Sequence, residues 1–204
     1  MPSACTSPKK PCEIAVGGLV PFTTVDFPGR LAAVVFCQGC AWRCGYCHNA
    51  HLRDFSPGRI PWSSVLEFLR KRQNLLEAVV FSGGEPLAQR ALPQAMQEVR
   101  ALGYRIGLHT AGSSVRRLKQ VLPLVDWIGL DVKAPSSRYR EITGISSVKS
   151  VQESLRALAA AAIPYEVRTT LDERLSEADL TLLRAEIGPA AAQRWVLQER
   201  RPRV

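Results

Sequence analysis

A chain of 204 residues with 46% hydrophobic content can bury one sizeable core but not two ordinary ones, and none of its apolar runs approaches the roughly 18 residues of a membrane span. The formal charge of +9 comes from basic residues scattered through "RKRQ", "RRLK" and "RRPR" without interleaved aromatics, so a solvated basic surface is expected and nucleic acid is not an expected partner. Six cysteines behind a start that lacks an apolar h-region argue against a secreted disulfide scaffold and point to metal or redox use in the cytosol.

In chain order, the first 13 residues show little periodicity and are expected to form a flexible tail before a single domain spanning 14–204. "LAAVVFC" (Leu31 to Cys37) is short and β-branched, as a buried strand should be, and "AVVFSG", "RIGLHT", "WIGLDV", "YEVRTT" and "WVLQE" repeat that character. Between these strands lie "SSVLEFLRKRQNLL", "ALPQAMQEVRAL", "SVRRLKQVL", "SVQESLRALAAAA" and "SEADLTLLRAEI", all with helical apolar spacing. Ser63, Ser150 and Ser176 are the expected N-caps, with Ser150 and Glu153 forming a capping box. Strands alternating with helices predict an α/β fold with a parallel sheet, either an open doubly wound sheet or an incomplete (β/α) barrel. Both place chemistry at the C-terminal ends of the strands, so the residues that follow each strand carry the functional information.

The loop after the first strand, "FCQGCAWRCGYCHN", packs four cysteines together. Cys40, Cys44 and Cys47, spaced C-x3-C-x2-C, can take three corners of an iron–sulfur cubane and leave one iron without a protein ligand. Adding Cys37 completes a four-thiolate pattern, which suits zinc or a closed electron-transfer cluster. After the second strand, paired glycines in "FSGGEP" let backbone approach a ligand closely, a feature that structural zinc does not call for.

With these residues the sequence resembles the radical S-adenosylmethionine superfamily, whose signature is the cysteine trio followed by a "GGE" loop. The resemblance implies an incomplete (β/α)6 TIM-like barrel and two cofactors, a [4Fe–4S] cluster and S-adenosylmethionine. The open iron would chelate the amino and carboxylate groups of S-adenosylmethionine, and an electron passed through the cluster would release a 5'-deoxyadenosyl radical. "TTVDFPGRLAAVVFCQGCAWRCGYCHN" is similar to the glycyl-radical-enzyme activases. "GGLVPFTTVDFPG", and "WVLQ" followed by "RP", bring it nearest to those acting on anaerobic ribonucleoside-triphosphate reductase.

By that resemblance Cys40, Cys44 and Cys47 are the cluster ligands, Tyr46 packs on adenine, and Ser82, Gly83, Gly84 and Glu85 receive the methionine amino group. Thr110 in "LHTAG", Asp131 and Lys133 in "LDVKA", and Arg168 in "EVRTT" complete the cofactor contacts, with Lys133 neutralising the methionine carboxylate. His109 stands where activases often carry an acidic residue, so the cation site of some relatives is not expected. His48 and Asn49 shape the loop, and Cys5, Cys12 and Cys37 have no assigned role. The implied partners are a glycyl-radical enzyme, here the anaerobic ribonucleotide reductase, and flavodoxin or ferredoxin as electron donor. An activase of pyruvate formate-lyase, a small-molecule enzyme such as a deazapurine synthase, and a four-cysteine zinc or electron-transfer protein remain the alternatives.

Overall fold

The computed structural model describes residues 13–146 and 148–200. The expected N-terminal tail with Cys5 and Cys12 therefore lies outside the described residues except for Glu13, as does Pro202. Seven strands follow one another as β1 (Val16–Thr23), β2 (Ala32–Cys37), β3 (Ala78–Gly83), β4 (Arg105–Thr110), β5 (Trp127–Asp131), β6 (Tyr165–Thr170) and β7 (Trp195–Gln198). The helices between them are α1 (Trp62–Arg70), α2 (Leu92–Ala101), α3 (Val115–Val121), α4 (Tyr139–Thr143), α5 (Lys149–Ala160), α6 (Glu177–Ile187) and α7 (Pro189–Ala192).

The spatial order of the strands is their chain order, with β1 antiparallel to β2 and every later pair parallel. That order decides between the two expected architectures. A doubly wound sheet reverses its order at a switch point, whereas unreversed right-handed crossovers put every helix on one face and curl the sheet into a barrel wall. The wall is incomplete, because the strand pairing runs from β1 to β7 without joining those two ends among the described residues.

Strand pleating sorts the side chains into two cores. Val35, Phe81, Leu108, Leu130 and Val167 point outward and bury themselves with helical residues such as Leu69, Met96, Leu118, Leu158 and Leu183. Each fully buried Leu or Phe of this kind contributes about 1.5–3 kcal/mol. The inner face has only a small apolar cluster near its N-terminal end, where Phe27 packs with Ala32, Val34, Ala78, Val80 and Trp127. Phe27 comes from the "TTVDFPG" loop, which thus plugs the bottom of the barrel and leaves the top open.

Two of the expected caps are corrected. α1 begins at Trp62 behind Pro61, whose ring fixes φ at −58°. Trp62 is buried and its indole N–H donates to Glu98, which draws the helix start ahead of Ser63. Ser150 lies inside α5, and its hydroxyl serves a neighbour by donating to Gly112 O (3.0 Å) and accepting from Val115 N–H at the start of α3 (3.2 Å). The capping box belongs to Ser176 and Asp179 at α6. No helix among the described residues is long and apolar enough to cross a membrane.

Candidate active site

Toward the C-terminal ends of the strands the inner face becomes polar: Ser82, His109, Asp131, Arg168 and Thr170 alternate with the outward core residues of β3 to β6. Together with the loops above them they enclose a cavity of about 230 Å³. The residues singled out in the sequence all line it: Cys40, Cys44, Cys47 and Tyr46 after β2, Ser82, Gly83, Gly84 and Glu85 at the end of β3, Thr110, Asp131, Lys133 and Arg168. Trp42, Ala111, Thr170 and Gln198 also line it without having been anticipated. Thr170 follows Arg168 at i+2 and Gln198 is its register partner on β7, so strand alternation was the signal available.

Cys37 is absent from the lining. It points into the helix-side core, wholly buried, and burial pushes its thiol far above the ordinary range. Beyond it the chain leaves the sheet and is held by backbone hydrogen bonds. Gly39 N–H donates to Leu52 O (2.7 Å), Cys40 N–H to Arg53 O (2.9 Å), Arg43 N–H to Thr143 O of α4 (2.8 Å), and Cys47 N–H to Cys44 O (3.2 Å). Asn49 Nδ2 donates to Gly83 O (3.4 Å), joining the cysteine loop to the glycine pair. Burial raises the Cys40 thiol to about 11 and raises Cys44 as well, so both are neutral until a metal displaces their protons. Among the described residues no His, Cys, Asp and Glu side chains form a group of three or more that could hold a single metal ion. The three thiols instead share one cavity wall on a single loop, an arrangement compatible with a multi-iron body in which each thiolate takes its own iron.

The glycine pair is required by close packing of backbone. At Gly83, which has φ +107°, a Cβ would stand 2.5 Å from Cys37 N, and at Gly84 a Cβ would stand 2.5 Å from Gly39 O. The adjoining Gly84 N–H to Cys37 O and Glu85 N–H to Gly39 O bonds, both 2.9 Å, need that proximity. Glu85 then turns its carboxylate inward at 2% exposure. Oε1 accepts from Thr110 Oγ1 (2.5 Å) and Leu87 N–H (3.1 Å), and Oε2 accepts from Ala111 N–H (2.9 Å). Burial raises its pKa despite these bonds.

A charged cluster on β5, β6 and the residues after β5 lines the same cavity. Asp131 Oδ1 accepts from Arg168 Nε (3.0 Å) and Oδ2 accepts from Lys133 Nζ (3.2 Å). Burial disfavours the Asp131 carboxylate, but Lys133 and Arg168 outweigh it and hold its pKa down to about 2. Burial also works against the Lys133 ammonium, yet Asp131 and the Tyr46 phenol keep it well above its ordinary value. Two cations around one carboxylate leave a net positive charge facing the cavity. Lys133 Nζ sits 5.7 Å from the centre of the Tyr46 ring, and the Tyr46 hydroxyl is buried without a hydrogen-bond partner among the described residues, a polar atom open to a bound molecule.

His109 faces the same interior from β4. Its Nε2 lies 2.9 Å from the Asp26 carbonyl and its ring meets Trp127 edge-on at 5.5 Å. Burial, reinforced by Arg168, pushes its pKa down to about 4, so the ring is neutral and Nε2 donates. In the unfolded chain the same group takes its proton near 6.5. Stability is therefore unaffected by this histidine above pH 6.5 and falls as pH drops from 6.5 through about 4, by roughly 2–4 kcal/mol. Urea unfolding across that window should show a shallower decline for His109→Gln, whose amide can still donate to Asp26; parallel profiles would contradict the assignment.

Comparison with known proteins follows from this geometry. Residues 34–183 match the family described as the Radical SAM superfamily. A Methanocaldococcus jannaschii protein named for glycyl-radical enzyme activation is 30% identical over 134 residues, which cover 62% of this chain and 53% of that one. The pyruvate formate-lyase-activating enzyme of Clostridium pasteurianum is 29% identical over 163 residues, covering 75% and 66%. The chain thus spans between about half and two thirds of the length of these curated relatives. Among solved structures, Streptococcus suis SuiB bound to precursor peptide SuiA superposes with a TM-score of 0.67 at 14% identity, covering 82% of this chain and 38% of that one, and shows the same fold. The chain belongs to the radical SAM superfamily, whose members use a [4Fe–4S] cluster and S-adenosylmethionine.

Proposed function

We propose that this chain is a radical S-adenosylmethionine activase that installs a glycyl radical on a partner enzyme, and that the partner is anaerobic ribonucleoside-triphosphate reductase. The observation that carries the reading is the division of the clustered cysteines: Cys40, Cys44 and Cys47 face one cavity with the Glu85 turn and the Asp131 charge cluster, while Cys37 faces the helix-side core. Three protein thiolates leave one corner of a cubane for a small molecule. When bound, the cofactor pair supplies one-electron cleavage of the sulfonium and abstraction of a hydrogen from a glycine Cα.

The chain's own residues do the rest. Cys40, Cys44 and Cys47 hold the cluster. Lys133 and Arg168, with Asp131 between them, give the net positive wall that suits a methionine carboxylate. Ser82, Gly83 and Gly84 present backbone to the amino group, and Glu85 and Thr110 lock the turn that shapes this contact. Tyr46 offers its ring to the adenine. Flavodoxin or ferredoxin is the expected electron donor, and a glycine loop of the partner would complete the open mouth and exclude water.

Relatives named as glycyl-radical and pyruvate formate-lyase activating enzymes support the class of reaction. The choice of the reductase rests on the "GGLVPFTTVDFPG" and "WVLQ" segments. A pyruvate formate-lyase partner is the second reading, favoured by a relative of that name that aligns with 75% of the chain. The reconstituted chain, a chemical reductant and S-adenosylmethionine are mixed anaerobically with either candidate partner. A glycyl doublet in electron spin resonance is expected with the reductase; a doublet only with the lyase would transfer the assignment, and cofactor cleavage without a doublet in either would end it.

A further inference from the structure

We propose that Arg174 is a positioning residue for the loop that carries the three cysteines, and through it for the iron–sulfur cluster; the second part rests on the cofactor reading above. Arg174 follows β6 and is outside the cavity lining. Its guanidinium is fixed on two sides. Nε donates to Asp172 Oδ1 (2.6 Å) and Nη2 to Asp172 Oδ2 (3.0 Å), with Asp172 only 5% exposed. Nη1 donates to Glu141 O of α4 (3.1 Å), and the Arg174 carbonyl accepts from Arg138 Nη2 (2.8 Å).

The Nη2 end of this guanidinium also lies against Gly45, between Cys44 and Cys47. A Cβ at Gly45 would stand 2.8 Å from Arg174 Nη2 and 3.5 Å from Cζ. The loop also hangs from α4, through Arg43 N–H to Thr143 O (2.8 Å) and Gly45 N–H to Ile142 O (3.3 Å). The centre of the cysteine loop is therefore tied to α4 carbonyls and packed on a guanidinium held to the same helix. An exposed ion pair would need no such seat and would be worth little, but Asp172 is buried and the fork is bidentate. Groups hydrogen-bonded directly to metal ligands are worth about 10–100-fold in metal affinity, and a brace that acts through the loop backbone belongs at the low end of that range.

The test uses the full chain, reconstituted with iron and sulfide, and reads iron loss to a chelator together with amide exchange across residues 43–46. Arg174→Ala is expected to lose iron about 10-fold faster and to exchange those amides faster, in the iron-free protein as well. Arg174→Lys keeps the charge without the fork and should behave like the alanine variant. Gly45→Ala deletes no polar group but pushes the guanidinium aside, and should show the same defect in milder form. The double variant should be no worse than the poorer single one, because the clash and the brace share one contact. Wild-type iron retention in Arg174→Ala, full rescue by Lys, or additive losses would overturn the proposal. If Arg174→Ala does not fold, Gly45→Ala and its amide exchange carry the test. A wild-type chain that takes up no iron would refute the cofactor reading, while exchange in the iron-free protein would still judge the brace.

Discussion

Replacing Cys40, Cys44 or Cys47 singly with alanine is expected to abolish cluster assembly and all cofactor cleavage, whereas Cys37→Ala keeps a full complement of iron and sulfide. The four thiols are close in sequence, and only the pleat separates them. Cys37 is the last residue of β2 and takes the outward position, within the core of Val35, Phe81 and Leu108. To reach the cavity its side chain would have to cross the sheet. Its loss should cost only about 1 kcal/mol for a small buried void. The other three lie on the cavity wall, and each deletes one cubane corner, which no neighbouring thiol among the described residues is placed to replace. Iron and sulfide analysis with visible spectra decides the matter. Loss of the cluster in Cys37→Ala together with its retention in Cys44→Ala would sink the three-ligand assignment.

Replacing Glu85 should produce a large loss of stability. Its two oxygens receive three hydrogen bonds, from Thr110 Oγ1, Leu87 N–H and Ala111 N–H. Glu85→Ala strands all three donors in a buried site, at about 3–5 kcal/mol. Glu85→Gln is the sharper experiment. With the amide nitrogen at the Oε2 position, it confronts Ala111 N–H. In the flipped orientation it confronts Leu87 N–H, while Thr110 Oγ1 already accepts from Gly112 N–H (3.0 Å). Either way one donor–donor contact remains, at about 1–3 kcal/mol. Because these bonds clamp the glycine turn to the end of β4, the same change should weaken S-adenosylmethionine binding about tenfold, the equivalent of 1.4 kcal/mol. Thermal melting and equilibrium binding to the reconstituted protein measure both. A Glu85→Gln variant with wild-type melting and binding would show that the carboxylate is not the clamp.

Much of this is legible in the sequence alone. The six parallel strands announce themselves as short β-branched runs, and the residues that follow them do meet at one end of the sheet. β1 was not legible, because Gly17, Gly18 and Pro21 erase the strand signal; an edge position tolerates them, and two register shifts absorb the irregularity. The first helix was expected to reach Leu76 but ends at Arg70, and the chain then turns through Asn74 at φ +66°. α4 is too short for a periodic signature, yet its carbonyls hold the cysteine loop. The meaning of the glycine pair was only half visible. Their lack of a Cβ serves the approach of two backbones, a tertiary fact that no local pattern encodes. The Asp131–Arg168 pair likewise depends on the register of β5 against β6 and cannot be read from either strand alone.

The two ends of the open sheet differ in how they resist unwanted association. β1 carries Pro21, which has no N–H to offer a neighbour, and its register shifts break the regular ladder that another chain would need as a template. β7 has neither guard along Trp195–Gln198, and Val196 and Leu197 are 41% and 44% exposed. Among the described residues its main defence is being four residues long. β7 is therefore the edge whose backbone ladder is less interrupted, and a charged residue at Leu197 is the natural way to guard it.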